Sequence, residues 1–246
     1  MVQFKSPAER LVVAADYTFE SWKGLDDIRK KVLTLAKQLS KAGAVLKIGP
    51  VLRALGYPFI NRVKEEGCDV FADLKLDDTK KTLSIDASFM KEFTPKLLTV
   101  KCSAGTKSLV AVREALPQTK ILGVTVLTNL DDDDCRDVYV GQSSVVTNRL
   151  ALLAHKAALA GIVMAASEIK FLQRSKFNGM MILTPAVRPE GLPVKDDDQN
   201  PEKIVTVEQA FKAGADMIVV GRSITEAIDP YKAAMITIDQ IVAAQK

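Results

Sequence analysis

Apolar residues along this chain come in short, nearly continuous runs, separated by longer stretches in which they recur every three or four positions. The short runs are Leu11–Asp16, Ala44–Gly49, Cys68–Lys75, Leu97–Ser103, Lys120–Leu127, Gly161–Ala166, Met180–Pro185 and Met217–Gly221. Val, Ile, Leu, Ala and Met fill most of them without the polar alternation of a half-exposed strand. They therefore predict parallel strands covered on both faces. Among the intervening stretches, Leu25–Lys41 places Ile28, Val32, Leu35, Ala36 and Leu39 on one helical face, and Gly43 follows as a stop. Ser144–Leu159 and Glu208–Ala213 read as helices followed by Gly161 and Gly214, and Ile224–Ala244 reads as a closing helix. Pro50, Pro117, Pro189 and Pro201 punctuate loops.

Strand-then-helix units with short connectors give parallel strands joined by right-handed crossovers. Eight such units predict an α/β protein of the (β/α)8 barrel (TIM barrel) class, a single domain over residues 1–246. An open doubly wound sheet is the other arrangement of the same units. No Gly-x-Gly-x-x-Gly follows the first strand, so a dinucleotide-binding version loses its support.

Composition narrows the class further. The chain is 48% hydrophobic and 26% charged, ordinary for a globular protein with a packed core. Its net charge of +4 is carried by no Lys/Arg block with interleaved aromatics, which argues against nucleic-acid binding. A mild positive excess suits a small anionic substrate. Cys68, Cys102 and Cys135 are odd in number and widely spaced, which argues against a disulfide framework and for a reducing, cytoplasmic setting. No apolar run approaches the length of a membrane span, and residues 1–10 hold no apolar leader core. The acidic runs Asp131–Asp134 and Asp196–Asp198 lack the spacing of a calcium loop and read as solvated loops; no metal is expected. His155 falls inside a predicted helix, to be packed or solvated, and Trp22 is assigned only packing.

In such a barrel the chemistry sits at the C-terminal ends of the strands. Those ends carry Asp16 on the first strand, Lys47 on the second, and Asp73 and Lys75 on the third, with Asp78 in the loop beyond. Asp73 and Lys75 are two apart and so share one face of a strand. Alone, that pair reads equally well as a surface ion pair. Five ionisable residues on the correct ends of three successive strands read instead as a preset electrostatic site. The loops after strands seven and eight commonly bind phosphate in this fold. Here they carry Arg188, and Gly221 followed by Arg222. Either arginine can fork onto phosphate oxygens, and glycine lets backbone approach an oxyanion.

These residues resemble the orotidine 5′-monophosphate decarboxylase family over nearly the whole chain. The family's Asp-x-Lys-x-x-Asp motif corresponds to Asp73-Leu74-Lys75-Leu76-Asp77-Asp78, and its strand-two lysine to Lys47 in Leu46-Lys47-Ile48-Gly49. Its first-strand aspartate corresponds to Asp16, and Val124-Thr125-Val126-Leu127-Thr128 matches the segment after strand five. Thr184-Pro185-Ala186-Val187-Arg188, Asp197-Asp198-Gln199 and Gly221-Arg222-Ser223-Ile224-Thr225 match the later loops. The resemblance implies metal- and cofactor-free decarboxylation of orotidine 5′-monophosphate (OMP) to uridine 5′-monophosphate (UMP), with Lys75 protonating C6. It implies that Asp73 lies beside the departing carboxylate and that Lys47 and Asp78 complete the charge chain, Asp78 in a homodimer partner's site. Asp16 would contact the ribose, and Thr128, Arg188, Gln199, Gly221 and Arg222 the phosphate. Thr82 and Pro185 are further implied substrate contacts.

Three stretches depart from the family pattern. Thr79-Lys80-Lys81-Thr82 stands for Ile-Pro-Asn-Thr, Lys101-Cys102 for His-Ala, and Ala186 for a glycine. Two alternatives share part of the motif set. One is a magnesium-dependent sugar-phosphate lyase of the hexulose-phosphate synthase type, which has an acidic residue where Lys47 stands. The other is a nucleotide-binding protein without catalysis.

Overall fold

The computed structural model describes residues 3–18, 24–195 and 203–245. Eight parallel strands close into a barrel in sequence order, each hydrogen-bonded to its neighbours and the last to the first. They are β1 (Leu11–Ala14), β2 (Val45–Ile48), β3 (Asp69–Leu76), β4 (Leu97–Lys101), β5 (Lys120–Val124), β6 (Gly161–Val163), β7 (Met181–Thr184) and β8 (Met217–Val220). The helices are α1 (Gly24–Ala42), α2 (Pro50–Leu55), α3 (Phe59–Glu65), α4 (Lys80–Met90), α5 (Thr106–Ala115), α6 (Asp132–Tyr139), α7 (Ser143–Lys156), α8 (Ala166–Ile169), α9 (Val207–Ala213), α10 (Arg222–Thr225) and α11 (Pro230–Ala244).

Two apolar layers follow from strand alternation. Val12, Val45, Phe71, Leu97, Leu122, Met181 and Met217 fill the barrel interior. The alternate residues, such as Leu11, Leu46, Val70 and Leu98, join a second core between sheet and helices. In α1, Ile28, Val32, Leu35, Ala36 and Leu39 are all buried, as their spacing requires. Burying each large aliphatic side chain in these layers is worth ~1.5–3 kcal/mol. At Gly161 the strands pack so closely that a Cβ would lie 2.3 Å from the Met181 carbonyl oxygen.

All eight expected strands are present, but several stop short of the residues assigned to them. β1 ends at Ala14 and β5 at Val124, because the chain leaves the ladder to form the loops at the mouth. Asp16 consequently stands in the loop beyond β1 rather than on it. The expected closing helix is two, α10 and α11, divided at Asp229, whose carboxylate caps α11 ahead of Pro230. The expected helix to Leu159 ends at Lys156. The run Asp131–Asp134 is exposed, as expected, but it starts a helix rather than forming a loop. The Asp131 carboxylate accepts from the amides of Asp133 and Asp134, and the Asp134 carboxylate accepts from the Asp131 amide. Such a box satisfies N–H groups that the helix cannot, and negative charge there suits the helix dipole. Asp196–Asp198, Gln199, Pro201 and Trp22 lie outside the described residues. His155 is exposed on α7, its ring edge-on to Phe177 at 5.7 Å between centroids.

Candidate active site

The C-terminal mouth of the barrel opens into a cavity of about 1220 Å³. On β2, Val45 points into the barrel, so Lys47 two residues on points inward as well, one layer nearer the mouth. Phe71 places Asp73 in the same way on β3. The two side chains meet, with Lys47 Nζ 3.2 Å from Asp73 Oδ2. Lys47 Nζ also lies 2.8 Å from Asp16 Oδ2, and Lys75 Nζ 2.7 Å from Asp73 Oδ2. The result is one connected chain of alternating charge, Asp16–Lys47–Asp73–Lys75. Its centre is dry, since Lys47 and Asp73 are each 8% exposed. Its ends are wet, with the side chains of Asp16 and Lys75 47% and 37% exposed.

Burial alone would raise the Asp73 carboxyl. The ammonium charges of Lys47 and Lys75, with hydrogen bonds from Lys75 and Thr99, outweigh it and hold the group below the usual carboxylate range. Burial alone would likewise lower the Lys47 ammonium, but Asp73 and Asp16 outweigh it and raise that group above the usual lysine value. Both buried members are therefore charged at neutral pH.

Alternation holds along β3, with Phe71, Asp73 and Lys75 on the cavity side and Ala72 and Leu74 in the outer core, but the strand is irregular where Lys75 stands. The pairing of β3 with β4 slips between Ala72↔Leu98 and Leu76↔Val100, so four steps on β3 span two on β4. Within this bulge Lys75 has φ +48°, the left-handed region that side chains disfavour. Strain of this kind, of order 1–3 kcal/mol, persists only where surrounding contacts over-determine it. Thr99, fully buried on β4, supplies two such contacts. Its Oγ1 accepts from the Lys75 amide at 2.9 Å and donates to Asp73 Oδ1 at 2.8 Å. The sequence reading missed Thr99 because one hydroxyl inside Leu97-Leu98-Thr99-Val100 looks like ordinary strand filler. The signal available was its place two residues after the inward-facing Leu97.

The expected phosphate loops open onto the same cavity. Thr128, Pro185 and Arg188 line one side, and Gly221 with Arg222 lines the β8 end. The stem of the loop after β7 is closed by a Val187↔Val205 bridge and by the Arg188 amide donating to the Val205 carbonyl at 2.9 Å. Ala186, in that stem, has φ +60°. Between the charge chain and these loops the wall is apolar, formed by Phe71, Val124, Val163, Leu183 and Val219. One end thus offers fixed charge, the middle an apolar slot, and the far end two arginines.

Two expected contacts stand elsewhere. Asp78 is exposed, off the cavity wall, and its carboxylate accepts from the Thr79 amide. Thr82 lies in the first turn of α4, where its amide donates to the Thr79 hydroxyl and its own hydroxyl sits 3.1 Å from it. The start of α4 turns both outward, away from the cavity of their own chain. Gln199 is outside the described residues. The cysteine thiols are buried and unpaired, and burial pushes those of Cys68 and Cys102 up to about 12, so they are poor nucleophiles. No helix among the described residues is long and apolar enough to cross a membrane, and no three metal-binding side chains cluster there.

Comparison with known proteins agrees with this architecture. Residues 9–235 match the orotidine 5′-phosphate decarboxylase / HUMPS family. Orotidine 5′-phosphate decarboxylase of Saccharophagus degradans is 35% identical over 243 residues, covering 96% of this chain and 95% of that protein. The Nitrosomonas eutropha enzyme of the same name is 30% identical, covering 96% and 98%. The crystal structure of orotidine 5′-phosphate decarboxylase from Lactobacillus acidophilus shares the fold, with a TM-score of 0.74 at 23% identity, covering 95% of this chain and 99% of that one.

Proposed function

We infer the activity from one premise, that this chain belongs to the orotidine 5′-phosphate decarboxylase / HUMPS family. The cavity takes OMP, releases the C6 carboxylate as CO2 and returns UMP. The observation that carries this reading is the Asp16–Lys47–Asp73–Lys75 chain, with its one partly exposed ammonium at the mouth.

The chemistry sets the roles. Breaking the C6–carboxylate bond leaves the electron pair on a ring carbon with no π system to spread it. A fixed cation at that carbon stabilises the developing charge, and no rearrangement is needed at the moment of reaction. Lys75 supplies that cation and then gives its proton to C6; solvent reprotonates the amine. Asp73, held ionised, lies beside the carboxylate that leaves and orients Lys75. Lys47 keeps Asp73 and Asp16 in place, and Asp16 meets the ribose. Arg188, Gly221, Arg222 and Thr128 hold the phosphate, and Pro185 borders it. Binding energy from that remote group orients the ring at the charge chain.

No metal is assigned a role. Asp16 and Asp73 already share the Lys47 ammonium, which would repel a divalent ion from the place where a magnesium-dependent lyase needs one. The buried, unpaired thiols fit the reducing cytoplasm. Asp78 and Thr82 face outward beside Ile85 and Phe89 of α4, which are 45% and 63% exposed. That apolar patch is the seam of a homodimer, in which Asp78 reaches the partner subunit's cavity.

The test is the ultraviolet absorbance change on adding OMP to the protein with EDTA present. Stoichiometric conversion to UMP supports the reading. Turnover of sugar phosphates only with magnesium, or UMP binding without OMP turnover, would replace it.

A further inference from the structure

We propose that Thr99 is a positioning residue for the Lys75–Asp73 pair, and that Thr99 and Arg53 together clamp the one peptide group that aims Lys75. The inference rests on the decarboxylase reading for its catalytic consequence, but not for its geometry.

The peptide between Leu74 and Lys75 is the distorted link of β3. The bulge removes it from the regular ladder, so its carbonyl and its amide both need partners elsewhere. Arg53 of α2 donates through Nη2 to the Leu74 carbonyl at 2.7 Å. On the opposite edge of the same planar group, the Lys75 amide donates to Thr99 Oγ1 at 2.9 Å. A peptide plane held at both ends cannot rotate, and its orientation sets the left-handed φ of Lys75.

The hydroxyl also has a defined polarity. A threonine oxygen carries one proton. Because Oγ1 accepts from the Lys75 amide, that proton is free to go to Asp73 Oδ1, 2.8 Å away. Asp73 Oδ1 is thereby occupied, and Oδ2 is left to Lys47 and Lys75, at 3.2 and 2.7 Å. One buried side chain thus fixes the backbone of the lysine and the rotation of the carboxylate it pairs with. Valine has the same shape and lacks the hydroxyl, whereas serine keeps it.

The experiment compares the parent with Thr99→Val, Thr99→Ser and Arg53→Met. For Thr99→Val, kcat on OMP is expected to fall ~100-fold, the scale of a misplaced reacting group, while KM and UMP affinity stay within about threefold. The acidic limb of kcat/KM is expected to move to higher pH, because Asp73 loses a donor to its charged form. Thr99→Ser is expected to restore most of the rate. Arg53→Met, at an exposed position that spares the core, is expected to lose about tenfold in kcat. Hydrogen exchange of the Lys75 amide reads the clamp without substrate, with protection lost in Thr99→Val and kept in Thr99→Ser. An unchanged kcat in Thr99→Val, a loss confined to KM, or a loss that serine fails to restore would overturn the proposal. So would a Lys75 amide equally protected in Thr99→Val. A parent that does not convert OMP would sink the functional reading, and the exchange measurement would still decide the clamp.

Discussion

Lys47→Met should destabilise the protein by ~3 kcal/mol, but by no more than ~1 kcal/mol when it is made in an Asp73→Asn background. Lys47 Nζ reaches Asp73 Oδ2 at 3.2 Å and Asp16 Oδ2 at 2.8 Å from a site that is 8% exposed. Removing one partner of a buried pair typically costs ~3–5 kcal/mol, because the other charge is left dry and uncompensated. Asp73 keeps Lys75 and the Thr99 hydroxyl, which places the cost at the lower end. Asp16 is half-exposed, and its share is at most ~0.5 kcal/mol. Asp73→Asn alone leaves Lys47 with Asp16 and should cost ~2 kcal/mol. With both charges gone nothing buried is left uncompensated, so the double variant should lose only ~2–3 kcal/mol, a coupling of about 2–3 kcal/mol. Urea unfolding with linear extrapolation at pH 7 gives all four values.

The pH dependence has a definite sign. Asp73 has a folded value below 3.8, so its stabilisation is present above 3.8 and is lost as pH falls through the folded value. Lys47 has a folded value above 10.5, so its stabilisation is complete below 10.5 and is lost as pH rises through the folded value. The cost of Asp73→Asn should therefore shrink only in acid, and that of Lys47→Met only in strong base. Additive single costs, or a cost of Asp73→Asn that varies between pH 5 and 8, would refute this account of the charge chain.

Three further outcomes follow from local geometry. Gly161→Ala should cost ~3 kcal/mol or more, read as a lower urea midpoint, because its Cβ would sit 2.3 Å from the Met181 carbonyl oxygen; a loss below about 1 kcal/mol would contradict the packing. Ala186→Gly should raise stability slightly, since ~1 kcal/mol of left-handed strain is relieved against ~0.5 kcal/mol of added unfolded-state entropy; a clearly lowered melting temperature would refute the strain. Arg222→Ala should weaken UMP binding by about ten- to a hundredfold and leave uridine binding unchanged, by titration calorimetry, as expected for losing a charged hydrogen bond; equal UMP affinity would remove it from the phosphate site.

The barrel was legible because doubly covered strands are written as continuous apolar runs, and Leu11–Ala14 and Met217–Val220 show this plainly. Strand ends were not, because Thr125 and Met164 are as apolar or β-compatible as the strands they follow, and only ladder hydrogen bonds end β5 and β6. Asp131–Asp134 was misread because capping depends on where the side chains fold back, which composition does not carry. Asp16, Lys47, Asp73 and Lys75 were found from charge at strand ends. The bulge at Lys75 was not, since a bulge answers to its neighbour strand rather than to its own residues. Thr99 was hidden for the same reason, as its value lies wholly in what β3 places against it.

The most direct test of the central claim is single-turnover conversion of OMP by the parent and by Lys75→Ala, with UMP affinity measured for both. The account expects the parent to form UMP, and Lys75→Ala to form none detectable while still binding UMP. Turnover by Lys75→Ala within about tenfold of the parent would contradict the assignment of the proton to Lys75.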